Sequence, residues 1–295
     1  MFEIQKIQPE ESHAVIDSFL KSRKFVPIFF YSPYTINTWL NHQNKSLYVA
    51  TLDHERVFMI HKEVTNEVRF LFSEPSDQMC TEIKAHFKPQ FISANELGEA
   101  SHPVELYTSY NELMIDVTKV ANLEDPEVSK DYKKCQLRHP DLKVVKYTVN
   151  EMESIKTFLN EWSHTRSAEM NKRAKIENDL RFFSLYMNAL ELKGLLIKDA
   201  DKVIAISFFI PSLDGKVIGV INKCLRGYTQ LGVYTFVERA KMMLSLGYTE
   251  AYIGAINNDF KKRFINSAVI HKTLAREIFR SPEFVTSGPY ILRLF

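Results

Sequence analysis

Glycine, cysteine and long apolar runs are scarce in this chain, and each scarcity excludes a class of function. Nine glycines in 295 residues form no Gly-rich kinase or dinucleotide loop. The three cysteines, Cys80, Cys135 and Cys224, are odd in number and share no metal-like spacing. No histidine and carboxylate stand at ligand spacing either, so no metal is expected. A reduced, cytoplasmic setting fits this cysteine usage. The longest apolar run, Val203 to Ile210 with Ser207 inside it, is too short to cross a bilayer. The opening MFEIQKIQPEE has no basic region followed by an apolar stretch, as a secretory signal would.

What is present is ordinary globular material: 45% hydrophobic and 25% charged residues, enough for two domains. The net charge of +2 hides an asymmetry. Residues 1–118 hold 10 Lys/Arg against 16 Asp/Glu, whereas residues 119–295 hold 28 against 20. A basic second half suits a phosphate-rich partner such as coenzyme A, a tRNA end or an anionic lipid head, and equally a solvated surface of mixed sign.

Periodicity supplies the elements. FEIQKI reads as a strand, and a helix is expected from Pro9 to about Ser22. LYVAT, VFMIH and VRFLF follow as three strands, then a helix from about Ser76 to His86, then QFIS, ELYTSY and LMIDV. The polar stretch ANLEDPEVSKDYKKCQLRHPD reads as a boundary. Beyond it the pattern predicts helices over about 151–162 and 176–191. LLIK, VIAISFFI and VIGVINKCL come next, then a helix over 231–246 ended by Gly247, then the short strand AYIGA. A short helix in NNDFKKRFIN and a late strand, VIHKTLAREIF, close the series. Three antiparallel strands, helix, strand, helix and strand thus occur twice. The expected architecture is mixed α/β, with domains at 1–118 and 119–295.

The helix opening at Leu231-Gly232-Val233 carries the chemistry. N–H groups of a first helical turn have no intrahelical partner, and their partial positive charge favours an anion. Gly232 permits close approach, Thr229 and Gln230 add donors, and Arg226 stands ready for a phosphate. Gly232 equally allows the helix to pack tightly on its sheet.

The segment YTQLGVYTFVERAKMMLSLGYTEAYIGAIN (Tyr228–Asn257) resembles the GNAT superfamily of N-acetyltransferases. Its nearest likeness is to the aminoacyl-transferring relatives: FemAB peptidoglycan aminoacyltransferases, arginyl-tRNA–protein transferases and the C-terminal domain of phosphatidylglycerol lysyltransferases. YSPYTINTWLNHQNKSLYVATLDHE is similar to the first half of proteins related to the lysyltransferase domain. The resemblance implies two tandem GNAT-like domains, each a mostly antiparallel sheet flanked by helices. The first would be degenerate, since SEPSDQMCTEI has no glycine and a proline at Pro75. The second would hold an acyl donor, acyl-CoA (acetyl-CoA) or aminoacyl-tRNA, at Arg226, Tyr228, Thr229, Gln230, Leu231, Gly232 and Val233.

Two departures from the family pattern stand out. Its donor loop reads Gln or Arg, two residues, Gly, one residue, then Gly or Ala. With Gly232 last, Gly227 takes the first place and Gln230 sits where the earlier glycine belongs. After the fifth strand the family often has Asn, Ala and a Tyr that protonates a leaving thiolate. Here those positions are Asn257, Phe260 and Phe264, and phenylalanine cannot donate a proton. A tRNA ribose hydroxyl as leaving group fits that loss, and so does loss of activity.

The expected function is transfer of an acyl or aminoacyl group to an unknown amine acceptor, with a catalytically inactive GNAT-fold binding or scaffold protein as the alternative. Asn222 and Asn257 are the catalytic candidates; Trp162, Lys223 and Phe260 are the candidates for substrate binding. Asn222 and Lys223 are strand neighbours, so only one of them faces the cleft. The basic run Lys261-Lys262-Arg263 reads either as a phosphate or RNA contact or as a solvated face. No integral membrane contact is expected, and a peripheral lipid encounter stays open.

Overall fold

The computed structural model describes residues 1–8, 11, 45–71, 75–95, 106–164, 192–211, 215–255 and 259–281. The helices expected over 9–22 and 176–191, and the candidate Asn257, lie outside these residues. The chain divides into two compact units.

The first unit contains β1 (Phe2–Ile7), β2 (Lys45–Leu52), β3 (Glu55–Lys62), β4 (Glu67–Leu71), helix α1 (Asp77–Phe87) and β5 (Phe91–Asn95). Asp53 and Asn66, both at positive φ, turn the hairpins β2–β3 and β3–β4. Strands β1 to β4 pair antiparallel in sequence order, and β4 then runs parallel to β5 over four residue pairs. Its outer partner comes from far along the chain. The segment from Lys272 belongs to this unit, and Ala275–Arg280 pairs antiparallel with β5. Met79, Cys80 and Ile83 of α1 pack on Ala50, Val57, Met59, Val68 and Phe70. Their spacing puts them on one helical face.

The second unit, Glu112–His271, repeats this order. After the strand β6 (Leu106–Asp116) come α2 (Val117–Ala121), α3 (Pro126–Arg138), β7 (Lys143–Lys146), α4 (Met152–His164), β8 (Lys193–Asp199), β9 (Lys202–Pro211) and β10 (Val217–Cys224). Helix α5 (Leu231–Ser245), β11 (Glu250–Ala255), the short α6 (Asp259–Lys262) and β12 (Ala268–Arg280) complete the series. β7 to β10 pair antiparallel, β10 and β11 run parallel, and β6 closes the sheet antiparallel to β11. Each unit is thus a mostly antiparallel sheet flanked by helices. A repeat boundary near residue 118 stays a proposal, with each sheet's last strand drawn from the far side of it.

The polar stretch ANLEDPEVSKDYKKCQLRHPD is not loop throughout. It contains α3, whose first turn is capped by Asp125: the carboxylate accepts from the amides of Glu127 at 2.8 Å and Val128 at 3.1 Å. Pro126 stands at the start, where its missing N–H costs nothing. Val128, Tyr132 and Cys135 are buried, and the Tyr132 ring stacks on Tyr234 of α5 at 5.2 Å. ELYTSY and LMIDV, expected as two strands, are one continuous strand, β6.

Candidate active site

β10 and β11 are paired only at Val217–Ala251 and Ile218–Tyr252. Beyond Ile218 the strands separate. β10 also bulges between Gly219 and Ile221 where it pairs with β9, which bends it away. The equivalent parallel pair of the first unit, β4–β5, keeps four pairs and no such break. A parted strand pair followed by a helix N-terminus therefore exists in the second unit alone among the described residues.

The loop from Arg226 to Gln230 joins β10 to α5. Arg226 and Gly227 are exposed, Gly227 with φ +97°. Gln230 caps the helix at φ 59°, in the left-handed region, and makes no side-chain bond to the first-turn amides. No acidic residue stands in that turn. The cleft side of the loop is half-open: Gly232 is partly exposed, while Leu231 and Val233 turn their side chains into the core.

Two arginines converge on this loop. Arg138, at the end of α3, donates from Nη1 to the Thr229 hydroxyl at 2.9 Å. Arg263 donates to Gln230 Oε1 at 3.1 Å and pairs with Asp131. Tyr228 points the other way. Its hydroxyl donates to Asp199 at 2.8 Å, and burial together with that carboxylate pushes its pKa up.

The sequence candidates fall on two faces of β10. Cys224 lies 3.7 Å from the Thr235 hydroxyl of α5. Asn222, two residues earlier, shares that face. Its Oδ1 accepts from Ser207 Oγ at 2.8 Å, and it is half-buried. Lys223 takes the opposite face, 7% exposed, with Nζ 3.8 Å from the Trp162 ring centroid. Apart from Tyr228, which turns to Asp199, the loop from Arg226 to Val233 lies with Asn222 and Phe260 on the α5 side, and Trp162 and Lys223 pair behind the strand.

Phe260 covers the helix start. A Cβ added to Gly232 would meet its Cε2 at 3.2 Å. Phe264, where the family's proton donor is expected, is fully buried, its ring 4.2 Å from that of Phe236 and 5.4 Å from that of Phe260. The basic run beside it divides into three roles. Lys262 pairs with Asp259, Arg263 reaches the loop, and Lys261 is desolvated. Burial pulls the Lys261 amine down to about 8, with Glu112 opposing and Arg239 adding to the shift.

Sequence reasoning missed Arg138 and Arg239, and it named Lys261 only as one of a basic run. Arg138 was findable: Asp125-Pro126 is a helix start, and Val128, Tyr132 and Cys135 are spaced for one helical face. Arg239 carried no such signal, because nothing in the pattern of α5 shows that this flank is covered too. No group of His, Cys, Asp and Glu able to hold a metal occurs among the described residues, and none of their helices is long and apolar enough to cross a membrane.

No family model matches the sequence, and no curated protein matches it. Solved structures do match. A conserved protein of unknown function from Bacteroides thetaiotaomicron superposes with TM-score 0.70 at 12% identity, over 94% of this chain and all of that one. L-PGS from Bacillus licheniformis gives 0.56 at 10% identity, over 91% and 93% of the two chains. FemX gives 0.55 at 9%, over 92% and 96%. At such identity the likeness speaks for the fold alone, which is GNAT-like.

Proposed function

We propose that the second unit transfers an acyl or aminoacyl group from an activated donor to an amine. One observation carries this reading. The first turn of α5 holds no acid and no side-chain cap, and it opens where β10 leaves β11, beside Arg138, Arg226 and Arg263. Such a turn favours the negative charge of a donor's phosphates. The GNAT-like fold shared with FemX and L-PGS supports a transferase.

Of the two donors, aminoacyl-tRNA is the better supported. Lys130, Lys133, Lys134 and Arg138 are all exposed on α3, and the Arg138 end of that helix is bonded to the loop. Thirteen residues of helix extend about 20 Å. That basic ramp is longer than a pyrophosphate needs and suits a polyanion. The leaving group would be a ribose hydroxyl, consistent with Phe264 in place of an acid for a thiolate.

In the proposed step the acceptor nitrogen attacks the acyl carbonyl carbon, the ester C–O bond breaks, and the proton lost by the amine ends on the ribose oxygen. Asn222, and Asn257 by the family resemblance, would position the amine. Phe260 would wall the acyl group, with Trp162 and Lys223 supporting β10 from behind. The protein's work is then positioning and carbonyl polarisation.

Thermal shift with charged tRNA, uncharged tRNA, coenzyme A and acetyl-CoA tests this. The parent should be stabilised by charged tRNA in a salt-sensitive way, and Gly232→Trp and Lys133→Glu/Lys134→Glu should lose the effect. Identical responses of parent and Gly232→Trp to every donor would refute the loop assignment. Donor binding with no transfer to any amine would return the chain to a scaffold role.

A further inference from the structure

Arg239 is a charge that the fold buries and pairs with no acid among the described residues. It stands more than two turns into α5 and is 2% exposed. Its Nη1 donates to the main-chain oxygens of Ile221 at 3.3 Å and Phe208 at 3.4 Å, both long for such bonds. The guanidinium carbon lies 4.5 Å from the centroid of the Phe236 ring. A guanidinium has five N–H donors, and both of these main-chain bonds come from Nη1 alone. A buried cation without a counter-ion is costly, and mutation would ordinarily replace it by an apolar residue of the same shape.

Its position is as specific as its isolation. A Cβ at Gly219 would come within 3.0 Å of both terminal nitrogens. Gly219 is the first residue of β10 past its last pair with β11, and the bulge begins there. The guanidinium therefore marks the point where the strands part, and glycine leaves the room for it. Lys261 lies in the same field, since its amine feels both Arg239 and the fully buried Glu112.

We propose that Arg239 forms the floor of a carboxylate-binding site between β10 and β11, and that the amine acceptor of this unit carries that carboxylate, as an amino acid or a peptide C-terminus does. A carboxylate is planar and singly charged, which suits a guanidinium fork. A phosphate is better served at the first turn of α5. The identification as acceptor rests on the proposed transferase reading; the site itself does not.

The test is thermal shift and calorimetry on the full chain with acetate, glycine, methylamine and inorganic phosphate, for the parent, Arg239→Met and Arg239→Lys. Acetate and glycine should stabilise the parent, and methylamine should not. Arg239→Met should abolish the shift while melting at or above the parent's temperature without ligand, because an unpaired buried charge is gone. Arg239→Lys, which keeps the charge and loses the fork, should bind about tenfold more weakly or worse. An Arg239→Met protein that melts well below the parent, with Arg239→Lys binding carboxylates as the parent does, would make Arg239 a structural residue and overturn the site. An Arg239-dependent shift with phosphate alone would overturn the carboxylate. Each readout is independent of donor binding at Gly232, so loss of the transferase reading would leave its own trace.

Discussion

The Glu55 carboxylate accepts a hydrogen bond from the Ser76 amide at 2.7 Å, and so a side chain of the protein itself sits at the entrance to α1. The Ser76 hydroxyl bonds the same carboxylate and accepts from the Met79 amide at 3.2 Å, and Asp77 adds a second acid to the first turn. Helix α1 and helix α5 occupy equivalent places in their units. One has its anion built in, and the other does not. For the proposed transferase, this difference is the physical reason to assign the donor to α5 and not to α1.

Replacing Glu55 by Ala should therefore destabilise the protein by about 1–2 kcal/mol, the usual loss for a helix cap with its charge-assisted bond. Added phosphate should recover part of the loss, since it can enter the vacated turn, and should shift the parent less. Equal phosphate shifts in Glu55→Ala and the parent would show that Glu55 does not occupy an anion place.

At Gln230 the backbone is left-handed at a cost. A non-glycine residue at φ 59° pays about 1–2 kcal/mol of steric strain. Gln230→Ala keeps the strain and loses the bond from Arg263, while Gln230→Gly loses the same bond but relieves the strain. The glycine variant should be the more stable of the two by about 1 kcal/mol in denaturant titration. If the alanine variant equals it, the backbone there is not left-handed.

These two sites show what the sequence could and could not disclose. The elements of the second unit were legible because Val203–Ile210, Val217–Leu225 and the 231–246 helix are long and strongly patterned. Gly247, at φ +86°, ends α5 as its sequence position implied. The loop was legible because a glycine at a helix start is a local signal. The neighbours of the loop were not. Arg138 and Arg263 reach Thr229 and Gln230 across 91 and 33 residues of chain. No periodicity encodes such a meeting. The same holds for Lys261, one of three adjacent basic residues that look alike until packing separates them.

Lys261 gives the fold a pH signature of definite sign. Its amine is pulled from 10.5 to about 8, chiefly by burial. Between those values the unfolded chain holds a proton that the folded chain has lost, so stability rises with pH across this window. Lys261→Met removes the penalty, which is roughly 2–3 kcal/mol below pH 8 after allowing for partial exposure. The variant should thus melt above the parent at pH 7, and the gap should close by pH 10.5. A gap that stays constant over this range would mean that Lys261 is solvated.

Gly232 and Phe260 should be energetically coupled. Gly to Ala within a helix ordinarily stabilises by about 1 kcal/mol. Here the new methyl would meet the Phe260 ring edge at 3.2 Å, close enough that the ring must give way. That ring is held by Phe236 at 5.7 Å and Phe264 at 5.4 Å, so moving it disturbs a packed aromatic cluster. Gly232→Ala alone should be neutral or destabilising. In a Phe260→Ala background the obstacle is absent, and the same substitution should gain its usual helix-propensity benefit. A double-mutant cycle should return a coupling of about 1 kcal/mol, well above the additivity expected of separate sites. Additive effects would place the Phe260 ring away from the helix start. The first turn of α5 would then be more open than the contact between these two residues makes it.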